Sequence, residues 1–186
     1  MMDADNCIFH KYFGERLAAE NLLKTIPSDI KRLETFRVLS VFGGKYTGEP
    51  ALKATHVDGN MTTDLRYRSH KQIQVSRNVT ETYILLKDAD YLFYVTPIYQ
   101  AYHDEDIITN RVLIKNEEGA TVTLENFSSF DLTAKNSEFW LTRFYGNRSA
   151  EMQMEKEKMD KGIHIIDSKK GDGDEAKAAE YPADNE

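Results

Sequence analysis

The densest set of hard-ligand side chains in this sequence is His103-Asp104-Glu105-Asp106. Hard cations take several oxygens at once, and two aspartates and a glutamate in one loop offer them. The run lacks the alternating ligands and bend glycine of an EF-hand, so the simpler reading is a solvated acidic loop, and no metal is expected. Asp167 to Glu175, DSKKGDGDE, also spaces acids with glycines, but two lysines fall among the would-be ligands. The five histidines, His10, His56, His70, His103 and His164, stand far apart, and no H-x-x-x-H or H-E-x-x-H spacing supports a zinc hydrolase. His56 with Asp58, or His70 across a hairpin from an acid, would make a base–orienter pair only if folding brought them together. Cys7, the single cysteine, sits beside the N-terminus and is not expected to be a catalytic thiol. No catalytic residue and no cofactor is assigned.

A second set suits binding rather than reaction. Arg66, Arg68, Lys71, Arg77, Arg111, Arg143 and Arg148 fall mostly in strand-like segments, interleaved with Tyr67, Tyr83, Trp140 and Tyr145. Guanidinium forks and aromatic faces together suit an anionic ligand or a single-stranded nucleic acid. The expected ligand-binding residues are Arg66, Tyr67, Arg68, Tyr83, Tyr94, Trp140 and Arg143. The net charge of -7 opposes nucleic acid and anionic membranes as partners. The plainer alternative is that these cations pair across strands with the many acids.

These residues need a scaffold, and its centre is Thr80 to Gln100, TETYILLKDADYLFYVTPIYQ. Thr82–Leu86 and Tyr91–Tyr99 are rich in β-branched and aromatic residues, and Lys87–Asp90 between them favours a turn. Both faces of the second strand are apolar or aromatic, which predicts a central, covered strand. Pro97 cannot donate to a ladder and therefore belongs at a bulge or where pairing stops. Burying one aromatic here removes roughly 150–250 Å² from water, about 4–6 kcal/mol before entropy.

Before this hairpin, residues 8–25 carry an apolar stripe at helical spacing, ended by Pro27, and predict an N-terminal helix. From Thr35 the period shortens. Strand character recurs at 36–42, 46–47, 52–57, 62–68, 72–76, 107–115, 120–126 and 138–145, with turn signals such as Asp58-Gly59-Asn60 between. Leu65 and Tyr67 share one face of their strand, as Ile73 and Val75 share one of the next. Residues 149–161, SAEMQMEKEKMDK, predict a short helix, and Gly162–Asp167 an edge strand. The expected organisation is a helical segment at 1–34, an antiparallel β-domain at 35–167 and a disordered acidic tail at 168–186. The fold class is mainly β, a single antiparallel barrel or sandwich with an N-terminal and a short C-terminal helix.

Composition fits such a domain: 186 residues, 40% hydrophobic and 30% charged. No run of about 20 apolar residues predicts a membrane span. The acidic opening MMDADNC and the lone cysteine favour a cytoplasmic location. Four N-x-S/T sequons occur, at Asn60, Asn78, Asn126 and Asn147, and are expected to stay unmodified there. Phe42-Gly43-Gly44-Lys45 is neither a P-loop nor a G-x-G-x-x-G run; its glycines permit a bend in a strand. Gly44-Lys45-Tyr46 resembles the Gly-x-aromatic opening of calycin barrels, which implies a meander around a ligand cavity.

Three functions remain in order. The first is a non-enzymatic interaction or assembly domain of a larger complex. The second is a calycin-like carrier of an apolar or anionic organic molecule. The third is a lyase or isomerase in a cone-shaped α+β barrel. The expected partner is thus a protein or a small organic ligand, and the oligomeric state is left open.

Overall fold

Four ten-residue strands form the largest sheet: β2 (Leu65–Gln74), β3 (Val79–Asp88), β4 (Phe93–Tyr102) and β5 (Ile107–Asn116), antiparallel in the order β2-β3-β4-β5. The computed structural model describes residues 2–10, 12, 37–44, 46, 48–132, 138–147, 150–160, 162–167 and 177–181. These divide between two compact units, Met1–Thr133 and Ala134–Glu186.

In the first unit, β1 (Leu52–Thr55) pairs antiparallel with β6 (Thr123–Phe127). Leu52 and Ala54 of β1 join Leu39, Val41, Leu65, Leu86, Phe93 and Val95 in one core cluster. Alternation puts Leu65, Leu86, Phe93 and Val95 on the same face of the large sheet. That face is covered, and the other looks outward with Tyr83, Tyr94, Lys71 and Arg111.

The β3–β4 turn is built by Asp88, which is 1% exposed. Its Oδ1 accepts from the amides of Asp90 and Tyr91, each at 2.9 Å, and its Oδ2 from the amide of Asp64 at 2.6 Å. A buried carboxylate thus satisfies two amides of the turn and the amide of Asp64, just before β2. Pro97 lies inside β4 opposite a break in the ladder: pairing with β3 runs to Tyr83↔Ile98 and resumes at Leu86↔Val95. The central strand keeps its proline because pairing on that side lapses there.

Several expectations need correction. The four-stranded sheet is open, with β2 and β5 as its edges, so among the described residues there is no closed barrel, calycin-like or conical. No helix occurs among the described residues. Ile8 and Phe9, where the N-terminal helix was expected to begin, form bridges with Met2 and Arg37; residues 13–36 lie outside the described residues. The stretch expected as a C-terminal helix is strand β8 (Ala150–Met159), paired with β7 (Phe139–Asn147). Its alternating Met-Gln-Met-Glu-Lys-Glu-Lys satisfies a period of two as well as a thin helical stripe, and the cross-strand partner decides. Gly162–Asp167 does contain a strand, β9 (Ile163–Asp167). Its partner is β10 (Lys177–Tyr181), five residues of the segment expected to be a disordered tail.

Strand β2 joins two segments expected to be separate. A bulge at Arg68 falls between the pairs Tyr67↔Leu86 and Ser69↔Leu85. The extra residue reverses the alternation, so Ile73 turns to the outer face, 40% exposed. Among the described residues no helix is long and apolar enough to cross a membrane.

Candidate functional site

The most constrained polar constellation lies at one end of the large sheet. His56 follows β1, and its side chain is fully buried, as is that of Glu118 in the β5–β6 turn (0% and 3% exposed). His56 Nδ1 lies 2.7 Å from Glu118 Oε1, and Nε2 lies 3.1 Å from the Thr63 hydroxyl. The imidazole stacks on Tyr91 at 3.9 Å between centroids and meets Phe93 edge-on at 5.4 Å. The Tyr91 hydroxyl donates to Asp58 Oδ2 at 2.7 Å and accepts from Asn60 Nδ2 at 2.9 Å. The Asn60 amide and this hydroxyl hold the Asp58 carboxyl below the usual carboxylate range.

The sequence put His56 with Asp58, but the acid that reaches the ring is Glu118. Asp58 acts one step out, through Tyr91. A base–orienter geometry exists here, yet the ring is walled by Tyr91 and Phe93, and both its nitrogens are engaged. What it can do is fasten three connections of the sheet together.

A cleft of about 320 Å³ opens elsewhere, between Met2 and Ile8 on one side and Tyr67, His70, Thr82 and Ile84 of β2 and β3 on the other. Its polar rim is the Tyr67 hydroxyl, 2.7 Å from His70 Nδ1.

Of the residues expected at a ligand, Arg66 and Tyr94 lie in register through Lys87 on the outer face, and Tyr83 shares that face. Tyr67 lies on the opposite face, and Arg68 is the bulge residue. Arg66 is bonded to Asp64 through Nε at 2.8 Å and donates from Nη1 to the Asp5 carbonyl at 2.6 Å. The Tyr83 hydroxyl donates to Glu81, which also accepts from Arg111 at 3.0 Å, while Lys71 sits 4.5 Å from the Tyr83 ring centroid. Lys115 stands 5.9 Å from the Tyr94 ring. In the second unit, Arg143 Nε donates to Glu155 at 2.9 Å, and Trp140 is exposed with Lys156 at 5.2 Å. Acid pairing thus engages Arg66, Arg111 and Arg143.

The acidic run His103–Asp106 is the β4–β5 turn. Asn78 of the neighbouring turn accepts from the Asp104 amide and donates to Glu105, both at 2.6 Å. Among the described residues no group of three or more His, Cys, Asp or Glu side chains could hold a metal ion. Three sequon amides, those of Asn60, Asn78 and Asn126, donate to protein oxygens.

Residues 6–179 match the model of the glycosyl hydrolase family 36 N-terminal domain. The chain belongs to this family. Its fold is similar to that of an α-galactosidase AgaA variant from Geobacillus stearothermophilus in complex with raffinose, with a TM-score of 0.75 at 19% identity, over 89% of this chain and 27% of that one. The galactosidase domain of the α-galactosidase–sucrose kinase AgaSK gives 0.75 at 19%, over 88% and 27%. The α-galactosidase from Lactobacillus brevis gives 0.68 at 14%, over 88% and 26%. The chain therefore spans about a quarter of the length of these solved relatives. No curated protein sequence matches it.

The family overturns all three functions drawn from the sequence. The chain is a glycosyl hydrolase family 36 N-terminal domain, not a non-enzymatic assembly component of a larger complex, a calycin carrier or a lyase. Membership of this family left no mark on the motifs weighed above, because none of them is a pair of carboxylates at a telling spacing.

Proposed function

We propose that this domain belongs to an enzyme that hydrolyses α-galactosidic bonds, with the reacting carboxylates supplied from outside residues 1–186. The family match over 6–179 carries the reading, supported by fold likeness to α-galactosidases, one of them bound to raffinose. The small organic partner expected from composition is then a galactose-containing sugar. Glycoside hydrolysis needs two carboxyl groups flanking the bond, about 5–10 Å apart and open to the substrate. Five acids of the first unit have other duties: Asp64 pairs with Arg66, Glu81 with Arg111, Glu118 with His56 and Glu125 with Lys53, while Asp88 builds a turn. The domain also follows the sandwich form of the sequence reading rather than the barrel form.

The test is hydrolysis of 4-nitrophenyl α-D-galactoside and of raffinose by the polypeptide that carries this domain, beside the 186-residue chain. Galactose release by the former and none by the latter is expected. Cleavage of other glycosides only would overturn the substrate, and turnover by the chain alone would overturn the division of labour.

A further inference from the structure

The cleft between the first residues and the large sheet takes no part in the proposed function, yet its wall is firmly built. Residues 2–8 turn back on themselves: Met2 bridges Ile8, and Asp3 Oδ1 accepts from the amides of Asp5 at 3.0 Å and Cys7 at 2.8 Å. Asn6 takes the left-handed region at φ 60, which asparagine tolerates better than most residues. Its carbonyl then accepts from the Tyr67 amide at 2.8 Å, and the Asp5 carbonyl from Arg66 Nη1 at 2.6 Å. The turn is thereby tied to β2, and Met2 and Ile8 stand opposite Tyr67, His70, Thr82 and Ile84 across about 320 Å³. That volume falls at the lower end of the range that small-molecule sites occupy, and such sites are largely formed before the ligand arrives.

The lining chooses the occupant. None of the lining side chains carries a fixed charge, so nothing there offsets the desolvation of an ion. The Thr82 hydroxyl already takes the Gln72 side-chain amide at 3.3 Å. That leaves the Tyr67 hydroxyl and His70 Nδ1, 2.7 Å apart. If the phenol donates, the neutral imidazole keeps its proton on Nε2; if the imidazole donates, the phenol keeps its own. Either way one donor of the pair is left over, and the rest of the lining is apolar. A sugar, with a hydroxyl on most of its carbons, would strand those groups against Met2, Ile8 and Ile84. We infer that the cleft binds a small neutral molecule with an apolar body and a single acceptor oxygen, such as an aryl ketone or ether. The inference is independent of the proposed function.

Acetophenone is the probe, titrated into the 186-residue chain while methyl resonances are followed by NMR. Saturable shifts are expected at Met2, Ile8 and Ile84, and none at Ile107, which is 51% exposed and does not line the cleft. Ethylbenzene, which lacks the oxygen, separates the apolar part of the site from the polar part. Replacing the pair, Tyr67→Phe with His70→Leu, should weaken acetophenone about fivefold and leave ethylbenzene unchanged. Absence of saturable shifts at the three methyls, or equal shifts at Ile107, would overturn the site. Unchanged acetophenone binding in the variant, or equal losses for both probes, would overturn the role of the acceptor oxygen. Saturable shifts with galactose would overturn the ligand class. The first of these outcomes is read on the unsubstituted chain, so a variant that failed to fold would not shield the inference.

Discussion

The Nδ1 nitrogen of His56 lies 2.7 Å from a carboxylate oxygen of Glu118, sixty-two positions along the chain, and neither side chain reaches solvent. Removing either partner strands a polar group in the interior, whereas replacing both with apolar groups removes the need for pairing. Glu118→Leu should lower unfolding free energy by about 3 kcal/mol. His56→Phe combined with Glu118→Leu should lower it by less than the sum of the single changes. Urea titration of the cycle measures this; strict additivity would show that the two side chains are not coupled.

Phe93 is 0% exposed at the centre of the core. Phe93→Ala should cost about 3–5 kcal/mol through lost contacts and the cavity left behind. Arg111→Ala, which removes a pair whose arginine is 51% exposed, should cost under about 1 kcal/mol. Thermal melts of the two variants decide the order.

Gly43 has φ +92, and a Cβ there would lie 2.6 Å from Thr62 Cγ2. Both the backbone region and the collision penalise any side chain. Gly43→Ala should destabilise by about 1–3 kcal/mol, and Gly59→Ala, with φ +85 and nothing within 4 Å, by less. Chemical denaturation of the pair separates strain from collision.

Burial, with Asp131 adding to it, pushes the Tyr99 hydroxyl up to about 12. The unfolded chain releases that proton near 10, so stability is whole below about pH 10 and falls as pH rises toward 12. Ultraviolet titration of the chain against Tyr99→Phe should show the missing phenol among the late-ionising ones. Loss of an early-ionising phenol instead would place Tyr99 in water.

Asn78 bridges two neighbouring turns through Asp104 and Glu105. Asn78→Ala should speed amide exchange at 103–106 and cost about 1–2 kcal/mol. Unchanged exchange there would mean that the acidic turn holds its own shape.

The central hairpin was legible because its residues argue locally: Asp88 and Asp90 for the turn, β-branched and aromatic runs for the strands, and Pro97 for a lapse in pairing. What escaped depends on partners distant in sequence. Met152 to Met159 fits helix or strand equally until β7 lies beside it. Ile73 faces outward only because one residue is left out of the ladder at Arg68. Glu118 was invisible as the partner of His56 because it stands in a polar turn, Asn-Glu-Glu-Gly, typical of any hairpin end. The arginine and tyrosine set was visible by type, but alternation and that bulge distribute it over two faces of one sheet and across two units.

The bulge at Arg68 has a consequence for descent as well as for shape. Arg68 takes no place in the pairing between Tyr67↔Leu86 and Ser69↔Leu85, so a lineage that lost this one codon would keep every remaining pair and every facing. Losing a codon at Lys71 or Ile73 would push the rest of the strand out of frame with β3. Gaps of one residue among related genes should therefore gather at this position and avoid the strand on either side.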